Sequence, residues 1–295
     1  MKKGNISMKK VLKQIGKALA YFAVYFTVSN VVSLIASMVF GYLKGREYAA
    51  AGLSAEEGLA LVQSEQSSIT GICLLISAIL TLIIYFIIEK VKKSSLAKET
   101  DMKKVSGKQL ALSVIGALGA MFFMNFILSI LPIPEELLGS LSSGMSNLTS
   151  YPFWQAILAN ALFVPIIEEV IFRGYIFSRL EKAMPTIVAA LISSAAFGIV
   201  HGGIVWAVWA FVVGMFICVV RIKSGSIIPG IIIHVILNTF AMVVSYFPVL
   251  EKLTTGGMIA LTVAGGIVMA VYVFGILTDK GSDKKAEVKI LSSKA

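Results

Sequence analysis

"PIIEEVIFRG", residues 165–174, lies inside an apolar run from Phe153 to about Leu180 and sets Glu168, Glu169 and Arg173 where a membrane helix would meet hydrocarbon. On insertion scales each such charge at a bilayer centre costs about 2.5 to 3.5 kcal/mol, so three cost roughly 7 to 10 kcal/mol before any pairing. The run must therefore be a helix whose polar face is satisfied by other helices, in a chain built of such segments.

The rest of the chain agrees. Of 295 residues 57% are hydrophobic and 14% charged, a balance outside that of soluble domains. Apolar segments near 18–43, 69–89, 110–131, 153–180, 186–203, 204–222, 227–248 and 256–277 are each long enough, or nearly so, to span a bilayer. The expected fold is an all-α, polytopic bundle of about eight transmembrane helices. A basic cytoplasmic tail (1–17), a transmembrane domain (18–277) and a second basic tail (278–295) complete the expected organisation. Lysines precede the first segment as in a signal peptide, but its apolar run is too long and lacks a small-residue cleavage site, so it is read as a retained anchor.

The net charge of +10 is a matter of topology. With the N-terminus in the cytoplasm, that side receives six lysines of the N-terminal tail, seven of the loop 90–108, Arg179, Lys182, Arg221, Lys223 and five lysines of the C-terminal tail. Lys44, Arg46 and Lys252 fall outside, so the positive-inside rule supports eight spans with both ends cytoplasmic. Nucleic acid is not an expected partner. Residues 6–20 read as a basic interfacial helix or as a solvated tail, and 45–68 and 132–152 as surface connections. Cys73 and Cys218 fall within spans and read as buried small hydrophobes.

With loops and segment ends set aside, the ionisable residues inside the spans are Glu168, Glu169, Arg173, His201 and His234, and the two histidines are the whole complement of the chain. Glu169 and Arg173, Phe197 and His201, and His234 and Asn238 are each four residues apart, so each pair shares a helix face. Glu168 is about 100° away from Glu169. Glu169 and Arg173 thus read as an ion pair in a supporting role, Phe197 as packing, and Glu168 as a carboxylate without a partner on its own helix, suited to a general base.

Every aspartate (Asp101, Asp279, Asp283) is in a loop, which excludes an intramembrane aspartyl pair; no H-E-x-x-H and no G-x-S-x-G occurs, and Ser193 and Ser194 read as small packing residues. Two chemistries suit what remains. Glu168, assisted by His201, would activate water for attack on an amide, with His234 and Asn238 stabilising the oxyanion. Alternatively, Glu168, His201 and His234 would hold a metal such as zinc. A non-catalytic immunity protein or a proton-coupled transporter, using the cluster as a relay, is the reading from another class.

E-E-x-x-x-R (Glu168, Glu169, Arg173), F-x-x-x-H (Phe197, His201) and H-x-x-x-N (His234, Asn238), in this order on successive apolar segments, resemble the three motifs of the CPBP family of type II CAAX prenyl proteases and bacteriocin-processing (Abi) membrane proteins. The resemblance covers about 153–248. It implies an eight-helix intramembrane endopeptidase with a cavity open to the cytoplasm, acting on a peptide or protein substrate. It also implies that the first glutamate and the second-motif histidine activate water while the third-motif histidine and asparagine form the oxyanion hole. The lysine-rich tails and the lack of an extra domain suggest a bacterial membrane protein engaged in peptide maturation or bacteriocin immunity more than CAAX processing.

Overall fold

The computed structural model describes residues 7–137, 139, 149–247, 250 and 252–278. Residues 1–6 of the first expected tail, with Lys2 and Lys3, all of the second beyond residue 278, with its five lysines, and part of the connection 132–152 lie outside them.

The described residues form helices α1 (Met8–Ala50), α2 (Ala55–Glu65), α3 (Thr70–Val91), α4 (Leu96–Glu99), α5 (Gly107–Ile130), α6 (Phe153–Leu180), α7 (Thr186–Ile199), α8 (Ile204–Ser224), α9 (Ile228–Tyr246) and α10 (Thr255–Thr278). Seven of these are long and apolar enough to cross a membrane, and the protein is a multi-pass helical membrane protein. The fifth expected span is the exception. α7 has 14 residues, about 21 Å of helix, against a hydrocarbon thickness of about 30 Å.

Two other expectations change. Residues 45–68 are mostly helical: α1 runs on to Ala50, and α2 opens with a capping box in which Ser54 Oγ accepts from Glu57 N–H while the Glu57 carboxylate accepts from Ser54 N–H. At the other end of α1, Met8 onward is already helix, so the lysines of 9–17 ride on the turns leading into the first span. Ser7, before that helix, makes no side-chain cap.

α6 is the centre of the bundle, with 61% of its apolar window buried, the highest share among the spans. α3, α7 and α9 pack around it, α5 pairs with α10, and α7 with α8. α1 touches the bundle mainly near Ala18 and Tyr21. There Tyr21 stacks on Tyr175 of α6 with ring centroids 3.7 Å apart. The fully buried Glu89 of α3 accepts from Tyr21, from Tyr175 at 3.1 Å and from Lys92 at 3.0 Å.

α6 is not a uniform α-helix. Ile157–Phe163 and Val170–Phe177 are π-helical, on either side of the α-helical turn Val164–Glu169 that carries both glutamates. Pro165 accounts for the first widening, because a proline inside a helix offers no N–H and crowds the carbonyls of the preceding turn. The second is braced from outside by Ser193 of α7, whose hydroxyl donates to the Phe172 carbonyl at 2.7 Å, and from within α6 by Ser178, whose hydroxyl donates to the Arg173 carbonyl at 3.3 Å. Ser193 is therefore a bonded brace, beyond the small packing residue expected of it.

Candidate active site

Glu168 and Glu169 end the α-helical turn of α6, and their surroundings separate them. Glu169 is fully buried: Oε1 accepts from Arg173 Nη1 at 2.8 Å and faces His234 Nδ1 at 3.0 Å. Glu168 keeps 12% of its side chain exposed, and its Oε2 lies 3.6 Å from His234 Nε2. The expected ion pair of Glu169 with Arg173 is present, and the ion-pair partner of Glu168 is on another helix. His234 stands between them, one ring nitrogen to each.

Proton positions follow from the partners. A carboxylate only accepts, so His234 Nδ1 carries a hydrogen and donates to Glu169. Its Nε2 then faces Glu168 with either a lone pair or a proton.

His201 lies just beyond α7, in the turn that leads to α8. Gly202 and Gly203 follow it with φ of 66° and 49°, left-handed values that glycine adopts without a side-chain clash, and the chain reverses within these residues. His201 Nδ1 lies 2.7 Å from the Phe197 carbonyl, which can only accept, so the hydrogen is on Nδ1 and Nε2 presents its lone pair. Among the described residues no hydrogen bond or ion pair joins His201 to Glu168, so the expected assistance is not a direct contact here.

The connection is made by Phe197, 1% exposed and central to the site. Its ring centroid is 4.6 Å from that of His201, 5.6 Å from that of His234 and 5.1 Å from that of Phe172, and the Arg173 guanidinium lies over its face at 4.3 Å. The cation on an aromatic face contributes about 0.5 to 2 kcal/mol and holds Arg173 against Glu169. More than a packing filler, Phe197 sets where both imidazoles sit.

Asn238, one turn beyond His234 on α9, donates through Nδ2 to the carbonyl of Asn160 at 2.9 Å. Asn160 lies five residues before Pro165, so in the π-helical register its carbonyl would look to the one residue with no N–H to give. Asn238 supplies that donor, which leaves its second amide hydrogen for another acceptor. The side chain of Asn160, itself nearly buried, bonds Tyr151. Sequence reading passed over Asn160 because it counted only ionisable groups within spans; a lone asparagine in an apolar run eight residues before Glu168 was the available signal.

The metal reading meets a geometric obstacle. Among the described residues no three His, Cys, Asp or Glu side chains converge on a common point, Glu168, His201 and His234 included. One nitrogen of each histidine is already committed, and both rings pack against Phe197.

Residues 150–240, which hold all three motifs, match the family described as type II CAAX prenyl endopeptidase Rce1-like. The chain is similar to UPF0177 protein YxdF of Lactococcus lactis subsp. lactis, 32% identical over 130 residues, 42% of this chain and 72% of that protein. It is also similar to the putative membrane peptidase YdiL of Bacillus subtilis, 30% identical over 111 residues, 38% of this chain and 46% of that protein. No solved structure matches.

Proposed function

Because the chain belongs to the CPBP family of type II CAAX prenyl endopeptidase-like membrane proteins, we propose that it is an intramembrane endopeptidase with Glu168 as its general base. The observation that carries the proposal is the run Arg173, Glu169, His234, Glu168, which ends on its one reachable carboxylate.

In the proposed reaction a water molecule held between Glu168 and the free Nε2 of His201 attacks the scissile carbonyl carbon. Glu168 takes the water proton as the C–O bond forms, and later passes it to the amide nitrogen as the C–N bond breaks. His234, protonated and held by Glu169, and the second amide hydrogen of Asn238 stabilise the oxyanion. Glu169, Arg173 and Phe197 keep His234 in place. A metal held by Glu168, His201 and His234 would require both imidazoles to turn from their present partners, so water activation without metal is preferred. The substrate is a peptide or protein segment presented at the bilayer, in peptide maturation or bacteriocin immunity within a bacterial membrane. The transmembrane domain 18–277 contains the catalytic core 153–248.

The test is incubation of purified wild type and Glu168→Ala with a quenched-fluorescence peptide library, with and without a strong chelator. Cleavage by wild type alone that survives chelation supports the proposal. Cleavage abolished by chelator and restored by zinc overturns the metal-free mechanism, and no cleavage by folded wild type moves the reading toward binding or transport.

A further inference from the structure

The loop between α3 and α5 was read from sequence as topogenic, yet its centre is built into the bundle beneath the site. Thr100 is fully buried, and a Cβ placed on Gly174 of α6 would come within 2.7 Å of its side chain, so α6 and the loop are in close contact. Asp101 has a left-handed backbone with φ of 54°, a conformation aspartate tolerates better than most residues.

Asp101 reaches two helices that carry site residues. Its Oδ2 accepts from Arg221 Nη2 of α8 at 2.6 Å. Arg221, 2% exposed, also donates to Ser178 Oγ of α6 at 3.2 Å, and Ser178 donates to the Arg173 carbonyl at 3.3 Å. From Arg173 the contacts run on to Glu169, His234 and Glu168. The Asp101 carbonyl accepts from Ile227 N–H at 3.3 Å, at the start of α9. Two residues on, the Lys103 carbonyl accepts from Ser226 Oγ at 2.7 Å.

The start of α9 is tied to this loop: Ile227 N–H and the Ser226 hydroxyl donate to the carbonyls of Asp101 and Lys103.

We infer that Asp101 is a positioning residue: through Arg221 and Ser178 on one side and Ile227 on the other, it fixes the axial register of α9 against α6 and so the placement of His234 between Glu169 and Glu168. The inference rests on the proposed site, and its test reads that geometry apart from turnover. The chain has two histidines, so the full protein in detergent with isotope-labelled histidine gives two ring signals, assigned with His201→Gln. Asp101→Asn is expected to displace the His234 ring signal and leave that of His201. Glu99→Gln, which removes the partner of Arg179 on the same loop, is expected to leave both. On a peptide that wild type cleaves, Asp101→Asn lowers kcat by up to roughly 100-fold with KM unchanged, and Asp101→Glu recovers part of it.

A folded Asp101→Asn with a wild-type His234 signal overturns the inference, as does an equal displacement by Glu99→Gln. If Asp101→Asn does not fold, Arg221→Lys serves in its place. It keeps a cation opposite Asp101 but lacks the planar fork that also reaches Ser178. Displacement of His234 then supports the inference and an unmoved signal overturns it. Failure of wild type to cleave any peptide counts against the endopeptidase reading and leaves the ring comparison standing.

Discussion

His234 Nδ1 lies 3.0 Å from Glu169 Oε1, and this contact makes the two adjacent glutamates different groups. Glu169 is spent on Arg173 and the imidazole, and the ring it holds turns its other nitrogen to Glu168. A helix that presents two neighbouring carboxylates thereby acquires one that is fully buried in an ion pair and one that keeps an exposed edge.

The two glutamates should respond oppositely to the same substitution. Glu169→Gln leaves Arg173 as an uncompensated buried cation, and breaking such a pair costs about 3 to 5 kcal/mol. Glu168→Gln removes no ion pair with Arg173 and should leave the thermal unfolding midpoint in detergent close to that of wild type. A midpoint lowered as much by Glu168→Gln as by Glu169→Gln contradicts the assignment.

Asn238 and Pro165 should be coupled. Asn238→Leu removes the donor to the Asn160 carbonyl, and interhelical hydrogen bonds of this kind average about 0.6 and reach about 1.7 kcal/mol in membrane proteins. Adding Pro165→Ala restores an N–H within the same helix and should recover part of the loss. The check is a double-mutant cycle on unfolding midpoints; strict additivity would show that Asn160 is satisfied in another way.

The hairpin of α7 and α8 leaves no room at Gly198, where an added Cβ would lie 2.4 Å from the Ala207 carbonyl oxygen. Gly198→Ala should destabilise the protein by about 1 to 3 kcal/mol through overpacking against backbone. Gly45→Ala, with open space around the added carbon, is the control and should change the midpoint little.

Glu99 gives a pH-dependent term. Burial acts to raise its carboxyl, but the Ser94 hydroxyl and the Arg179 cation outweigh it and hold the group below the ordinary carboxylate value. A depressed folded-state value means stability that is present above the unfolded value, about 4.3, and lost as pH falls through the folded one. Glu99→Gln should therefore lower the unfolding midpoint at neutral pH, with the gap to wild type closing below about pH 4. A gap that is constant with pH would show that the carboxylate charge is not what matters.

The sequence discloses the parts of this protein that depend on local period and composition. Apolar run length identifies most of the spans, the four-residue spacings single out Glu169, Arg173, Phe197, His201, His234 and Asn238, and the adjacent glutamates already imply unequal surroundings. What it withholds depends on partners far along the chain. The π-helical turns of α6 depend on Pro165 but also on Ser193 and Asn238, which lie on other helices. Arg221 reads as a topological charge and Asp101 as a loop residue, and Glu89 is not singled out, because nothing near them in sequence indicates that they meet Ser178, Ile227 or Tyr175. The short α7 is hidden for another reason: Val200 prolongs the apolar run after the helix has ended at Ile199. The capping box at Ser54 and Glu57 was legible, and reading 45–68 as a connection missed it.

The most direct test of the central claim is the steady-state rate of Glu168→Gln beside wild type on one peptide chosen from the library, with both proteins shown to be folded. Loss of a general base removes about 100- to 10,000-fold of the rate, so kcat should fall by that factor or more. A Glu168→Gln enzyme that cleaves the peptide at the wild-type rate would contradict the claim that Glu168 activates the attacking water.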